Sequence, residues 1–110
     1  MSLTGALDAE TDDDAVTFRF VVRNDGDEPI TAQFSNSCRA DVAVLEDGEE
    51  RWRYTDGRMF SQVIGEETFA PGESHEFAVQ WPDPEPGSYT AVGELTARDR
   101  TCTARTTVSV

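Results

Sequence analysis

The chain has no lysine, a single histidine, two cysteines and no apolar run long enough to cross a membrane, and each shortage closes off a class of function. All nine basic residues are arginine, set against 22 Asp plus Glu, for a formal net charge of −13. A surface that negative repels phosphate backbones and anionic headgroups, so neither nucleic acid nor a membrane surface is expected as a partner. Ser74 and His75 are the only Ser/His neighbours, and consecutive strand residues point to opposite faces, which forbids a triad hydrogen bond between them. There is no glycine-rich phosphate loop, paired-His motif or dinucleotide fingerprint. No catalytic residue and no cofactor follow, and enzyme ranks last among the classes.

Metal chemistry fares no better. Two Cys and His75 fall short of the four ligands of a structural zinc. Asp12-Asp13-Asp14 lacks the alternating oxygen ligands and the turn glycine of a calcium loop. The N-terminal residues carry no basic n-region and no apolar h-region, so the expectation is a cytoplasmic protein without an export signal. Acidic excess without lysine suits a protein living in molar salt, where the Debye length shrinks to ~3 Å and self-repulsion is screened. Such a fold should loosen in dilute buffer and recover in concentrated KCl.

What is present is strand patterning. At 110 residues and 37% apolar content, with two Trp, two Tyr and six Phe, the chain supports one hydrophobic core. An acidic lead-in over residues 1–14 and a single domain over 15–110 are expected. Val16, Phe18, Phe20 and Val22 alternate with Thr17, Arg19, Val21 and Arg23, which gives a first strand one buried face. Turn chemistry from Asn24 to Pro29 follows, and Ile30, Ala32 and Phe34 alternate again. Val42 to Leu45 and Arg51 to Tyr54 flank Asp47-Gly48, a strong hairpin signal. A two-residue loop there would set Val44 against Arg51, whereas a three-residue loop, Asp47-Gly48-Glu49, sets Val44 against Trp52 and Val42 against Tyr54. The odd loop is expected.

Phe77, Val79 and Trp81 form a further strand, which the prolines of Pro82 to Gly87 end. Tyr89, Ala91, Gly93 and Leu95 form the next, and Ala104, Thr106, Val108 and Val110 the last. Seven to eight antiparallel strands without a helix suit an all-β, immunoglobulin-like sandwich with Greek-key connections. Gly87-Ser88-Tyr89 fits a tyrosine corner, in which the phenol reaches back to a backbone group, and equally a plain core aromatic after a turn. Cys38 and Cys102 lie in connections that such a topology brings to one end, so a disulfide is geometrically allowed. A reducing cytoplasm makes free thiols the default, and the sequence leaves the redox state open.

One ordered set of residues carries a resemblance. Asn24, Pro29-Ile30, Phe34, Asp41-Val42, the Gly48 to Trp52 hairpin, Asp56-Gly57 with Phe60, Pro71-Gly72-Glu73-Ser74, Trp81 and Gly87-Ser88-Tyr89 run from about Val16 through Leu95. As a whole this resembles the intracellular proteinase inhibitors of the BsuPI type, and the acidic, lysine-free surface makes the chain a haloarchaeal-like member. The resemblance implies an inhibitor or regulator of a subtilisin-like serine proteinase; a monomer is expected, though the sequence leaves the oligomeric state open. Such an inhibitor presents a loop to the protease cleft. The irregular stretch Thr55 to Gly65 is the candidate, with Arg58, Met59 and Phe60 each able to fill a specificity pocket. Phe60 matches a family position better suited to plugging the end of the sandwich, and Val63 with Ile64 reads equally as a short strand.

Two other functions fit less of the chain. A non-inhibitory immunoglobulin-like interaction domain would bind another protein through a loop end or by adding a strand at a sheet edge. A carbohydrate-binding module has only Trp52 and Trp81 in its favour, and strand parity points both inward.

Overall fold

Alternation of apolar and polar residues should bury one face of each strand, and it does so in most of the nine found. In the computed structural model, which describes residues 3–110, these are β1 (Leu3–Thr11), β2 (Ala15–Asn24), β3 (Ile30–Phe34), β4 (Ala40–Glu46), β5 (Glu49–Arg53), β6 (Gly65–Phe69), β7 (Ser74–Pro82), β8 (Ser88–Leu95) and β9 (Thr103–Ser109). They form three antiparallel sheets, ordered β1-β2-β7, β3-β6 and β5-β4-β8-β9. No helix occurs among the described residues.

The core is the one the periodicity implies. Val16, Phe18, Phe20 and Val22 from β2, Ala32 and Phe34 from β3, Val42 and Val44 from β4, and Ala91 from β8 are almost fully buried. Together with Val79, Trp81, Tyr89 and Leu95 they make one cluster spanning all three sheets. Burying side chains of this size is worth about 1.5–3 kcal/mol each, the main favourable contribution to the fold. Close approach of β8 to β2 depends on Gly93, where a Cβ would sit 3.0 Å from Cδ1 of the fully buried Phe20 ring. At the other end of the cluster, Trp52 stacks on Phe18 and Trp81 at centroid distances of 6.5 and 6.0 Å, and Tyr89 meets Trp81 edge-on at 5.0 Å. The tryptophans point inward, as parity requires.

Four expectations need correction. Residues 1–14 are not merely a lead-in: β1 pairs with β2 along its whole length, from Leu3 opposite Asn24 to Thr11 opposite Val16. Leu3, Gly5, Leu7 and Ala9 alternate inward, but only Leu7 is fully buried, so the apolar pattern is weak, and the strand count rises to nine. Asp12 to Asp14 form its turn, with Asp12 Oδ1 accepting hydrogen bonds from the backbone N–H groups of Asp14 and Ala15 at 2.8 Å. Second, Val44 does oppose Trp52, but Glu46 opposes Glu49 across a two-residue turn. Asp47 and Gly48 both have positive φ, 52° and 82°, as a tight two-residue turn demands. The odd residue is Arg51, bulged out between the Val44–Trp52 and Leu45–Glu50 pairs. Parity required one extra residue and could not say whether turn or strand would hold it.

Third, Val63 and Ile64 are not a strand; they precede β6 and are 65% and 71% exposed. Fourth, His75, whose place at the start of a strand suggests a solvent-facing residue, turns partly inward. It is half-buried, its ring 4.2 Å from that of Phe69 and Nε2 3.6 Å from Glu73.

Two buried polar side chains fasten the connections. Asn24, fully buried, donates from Nδ2 to the carbonyls of Glu28 (2.7 Å) and Phe69 (2.9 Å) and accepts from the Gly26 N–H (2.8 Å). Its backbone exchanges two more hydrogen bonds with Gly72 and Glu73. One amide thereby locks the β2–β3 turn to the β6–β7 turn. The second is Asp41, described below. The tyrosine corner is also present: Tyr89 Oη donates to the Glu85 carbonyl at 2.7 Å.

An anchored loop as the candidate functional site

Between β5 and β6 the chain leaves the sheets for residues 54–64. The loop begins under control of Asp41, on β4. Only 6% exposed, Asp41 has Oδ2 2.5 Å from Arg53 Nη1 and accepts the Thr55 hydroxyl at 3.1 Å, while Oδ1 takes the N–H groups of Val42 and Thr55. Arg53 also reaches Glu50 at 2.8 Å. Hydrogen bonds from Glu50 first and Asp41 second hold the Arg53 guanidinium well above its ordinary pKa, against a smaller opposing effect of burial. The last residue of β5 and the first of the loop are thus fixed to a strand of the sheet.

Next, the chain turns tightly. The Asp56 N–H donates to the Arg53 carbonyl at 3.1 Å and the Arg58 N–H to that of Thr55 at 3.2 Å, with Gly57 at φ 75°. Arg58 folds back: Nε donates to the Tyr54 carbonyl at 2.8 Å and its guanidinium lies 4.3 Å from the Tyr54 ring centroid. Phe60 packs against the same ring from 6.4 Å and is half-buried. It stands between two shallow surface grooves that both include Cys38, one lined further by Phe77 and Val79, the other by Asp41 and Thr96. Ser61 closes the segment, its N–H donating to Ser37 Oγ and its carbonyl accepting from the Ser37 N–H, each at 2.9 Å.

Three large apolar side chains of this loop have no such cover. Met59 is 98% exposed, Val63 65% and Ile64 71%; among the described residues the only other large exposed hydrophobic is Val110, at 39%. Of the sequence candidates Arg58, Met59 and Phe60, the structure therefore leaves one unencumbered. Arg58 is engaged with Tyr54, Phe60 packs inward, and Met59 projects between them. The contribution of Val63 and Ile64 was not evident from sequence, because an apolar pair before a strand reads the same buried or exposed. Neither was the anchoring role of Asp41, whose partners lie 12 and 14 residues away.

Both cysteines lie at the Leu95 end of β8, Cys38 by Thr96 and Cys102 by Leu95. Both are buried free thiols. Cys38 Sγ donates to the Ala40 carbonyl at 3.4 Å, and Cys102 lies against Gly5 of β1. Leu95 of β8 pairs with Ala40 on one side and takes its N–H bond to the Cys102 carbonyl on the other. Burial raises the Cys102 thiol pKa above its ordinary value. Among the described residues no group of three His, Cys, Asp or Glu could hold a metal ion.

The strand framework thus holds one anchored loop whose Met59, Val63 and Ile64 side chains stand in solvent. Residues 3–100 match the BsuPI family, intracellular proteinase inhibitor, and the chain belongs to that family. The family is described as one of proteinase inhibitors and not of enzymes. No curated protein matches the chain. Two solved structures of β-glucosidase from Kluyveromyces marxianus, one selenomethionine-labelled and one with glucose, are similar at TM-scores of 0.48 and 0.47 and 14% identity each. Those alignments cover 99% of this chain and 14% of the glucosidase chains, and a likeness at that level says nothing of activity.

Proposed function

We propose that this protein inhibits a subtilisin-like serine proteinase by presenting the 54–64 loop to the protease cleft. The observation that carries the proposal is the conjunction of exposure and anchorage: Met59, Val63 and Ile64 stand in solvent on a loop pinned at Thr55, Arg58 and Ser61. Contact with a protease would bury those side chains, about 1.5–3 kcal/mol each. The pinning means that little conformational freedom remains to be lost on binding.

The framework reads as a variant of the immunoglobulin-like sandwich, with β1 added to the sheet that contains β2 and β7. Two free thiols suit a reducing cytoplasm. The net charge of −13 without lysine suits a halophilic setting, so that inhibition and stability should both strengthen in molar KCl. Titration of subtilisin with the protein in molar KCl tests the proposal. Stoichiometric loss of protease activity is expected; an undiminished rate together with digestion of the loop would contradict it and favour a non-inhibitory interaction domain.

A further inference from the structure

Resting on that inhibitory reading, we infer that Met59 is the residue that enters the protease's primary specificity pocket, and that the target proteinase has a deep, uncharged, apolar pocket. Specificity of a serine protease is set largely by that pocket: an acidic floor selects Arg or Lys, an apolar slot selects long uncharged side chains, and a shallow one selects small residues. The sequence offers Arg58, Met59 and Phe60 in a row, each suited to a different pocket.

Geometry decides among them. Arg58 has its Nε committed to the Tyr54 carbonyl at 2.8 Å and its guanidinium stacked 4.3 Å from the Tyr54 ring, so entering a pocket would break both contacts. Phe60 would have to leave the same ring and expose the wall it covers beside Cys38. Met59 gives up nothing, since at 98% exposure its side chain touches almost no part of its own chain. The backbone on either side is held, by the turn that closes at Arg58 on one flank and by the paired Ser61–Ser37 hydrogen bonds on the other. A fixed backbone carrying one free, unbranched, flexible apolar side chain is preorganised to fill a pocket deeper than Val or Ala would reach.

The test is a specificity swap measured against four proteases: subtilisin and chymotrypsin with apolar pockets, trypsin with an acidic one, and elastase with a small one. Wild type should inhibit one or both of the first two and neither of the others. Met59→Leu should keep that potency, and Met59→Asp should lose about 100-fold, the size of a lost interface anchor. Met59→Arg should lose subtilisin and gain trypsin. Thermal unfolding should be unchanged in all three variants, because the position is open to solvent. Equal potency of wild type, Met59→Asp and Met59→Arg against subtilisin would overturn the inference while leaving the inhibitor intact. Trypsin inhibition by wild type that disappears in Arg58→Ala would overturn it in favour of Arg58. Inhibition of none of the four would bring down the inhibitory reading itself.

Discussion

The two ends of this molecule solve the problem of unpaired chain differently. At one end lie the short connections 12–14, 47–48 and 83–87, closed on themselves or on one another and the C-terminal strand. Asp12 caps its own turn, Asp83 bonds back to Asp14, Gly87 exchanges hydrogen bonds with Val110 at 3.1 and 2.9 Å, and Tyr89 holds Glu85. At the other end the 54–64 loop is fastened just as firmly, through Asp41, Tyr54 and Ser37. Yet it leaves Met59, Val63 and Ile64 uncovered. Anchorage at the first end satisfies the chain, whereas at the second it holds apolar surface out to water, which serves no purpose in the isolated fold. That contrast, and not exposure alone, points to a contact surface.

If the contrast is right, substitutions should divide cleanly into those that cost stability and those that cost binding. The largest stability loss is expected at Asn24. Asn24→Ala removes three hydrogen bonds from a fully buried site and strands the Glu28 and Phe69 carbonyls, for about 3 kcal/mol in urea unfolding. Gly93→Ala drives a methyl group to 3.0 Å from the Phe20 ring, which is enclosed and cannot retreat, for about 2 kcal/mol. Tyr89→Phe removes one corner hydrogen bond, on the order of 1 kcal/mol. No loss there would mean that the aromatic packing against Trp81 does all the work of that residue. At the bottom of the scale, Met59→Ser with Val63→Ser and Ile64→Ser should stay within about 0.5 kcal/mol of wild type. A loss as large as that of Asn24→Ala would show that the loop belongs to the core and would erase the contrast.

Alkaline pH offers a check on burial at both ends. Burial first, with Glu46 and Glu85 adding to it, raises the Tyr89 phenol above its ordinary 10.0, and burial raises the Cys102 thiol above 9.0. Both groups are neutral when protonated and the fold holds that proton more tightly than the unfolded chain does. Their contribution is therefore intact below about pH 9 and lost as pH rises through the folded values. Urea midpoints should begin to fall above about pH 9 and go on falling as pH rises past 10, less so in Tyr89→Phe. A midpoint that rises over that interval would contradict the assignment.

How much of this was legible in the chain depends on whether the determining contacts are local. The inward faces of β2, β3, β7 and β8 follow from alternation at Val16 to Val22, Ile30 to Phe34, Val79 with Trp81, and Tyr89 to Leu95. The Val44–Trp52 pairing followed from parity alone. β1 did not, because the alternation of Leu3, Gly5, Leu7 and Ala9 is weak in apolar character, with only Leu7 fully buried. The sequence marked 55–65 as irregular for a simple reason, that the segment lacks both periodicities, and the structure has a loop there. It could not rank Arg58, Met59 and Phe60, since the ranking is made by the Tyr54 ring and carbonyl, and a sequence does not say which of three neighbours will fold back. Asp41 and Asn24 were readable as polar residues near turns. Their burial, which turns them into fasteners, depends on partners as far away as Phe69.

The central claim is that the 54–64 loop is the surface a proteinase meets. It is tested most directly by mixing the protein with subtilisin in molar KCl, recording residual activity against stoichiometry, and mapping amide-exchange protection in the complex. The account predicts one-to-one inhibition, with new protection confined to residues 54–65 and their neighbours around Ser37. Inhibition with protection at 12–14 and 83–87, or a complex that leaves 54–65 exchanging as in the free protein, would contradict it.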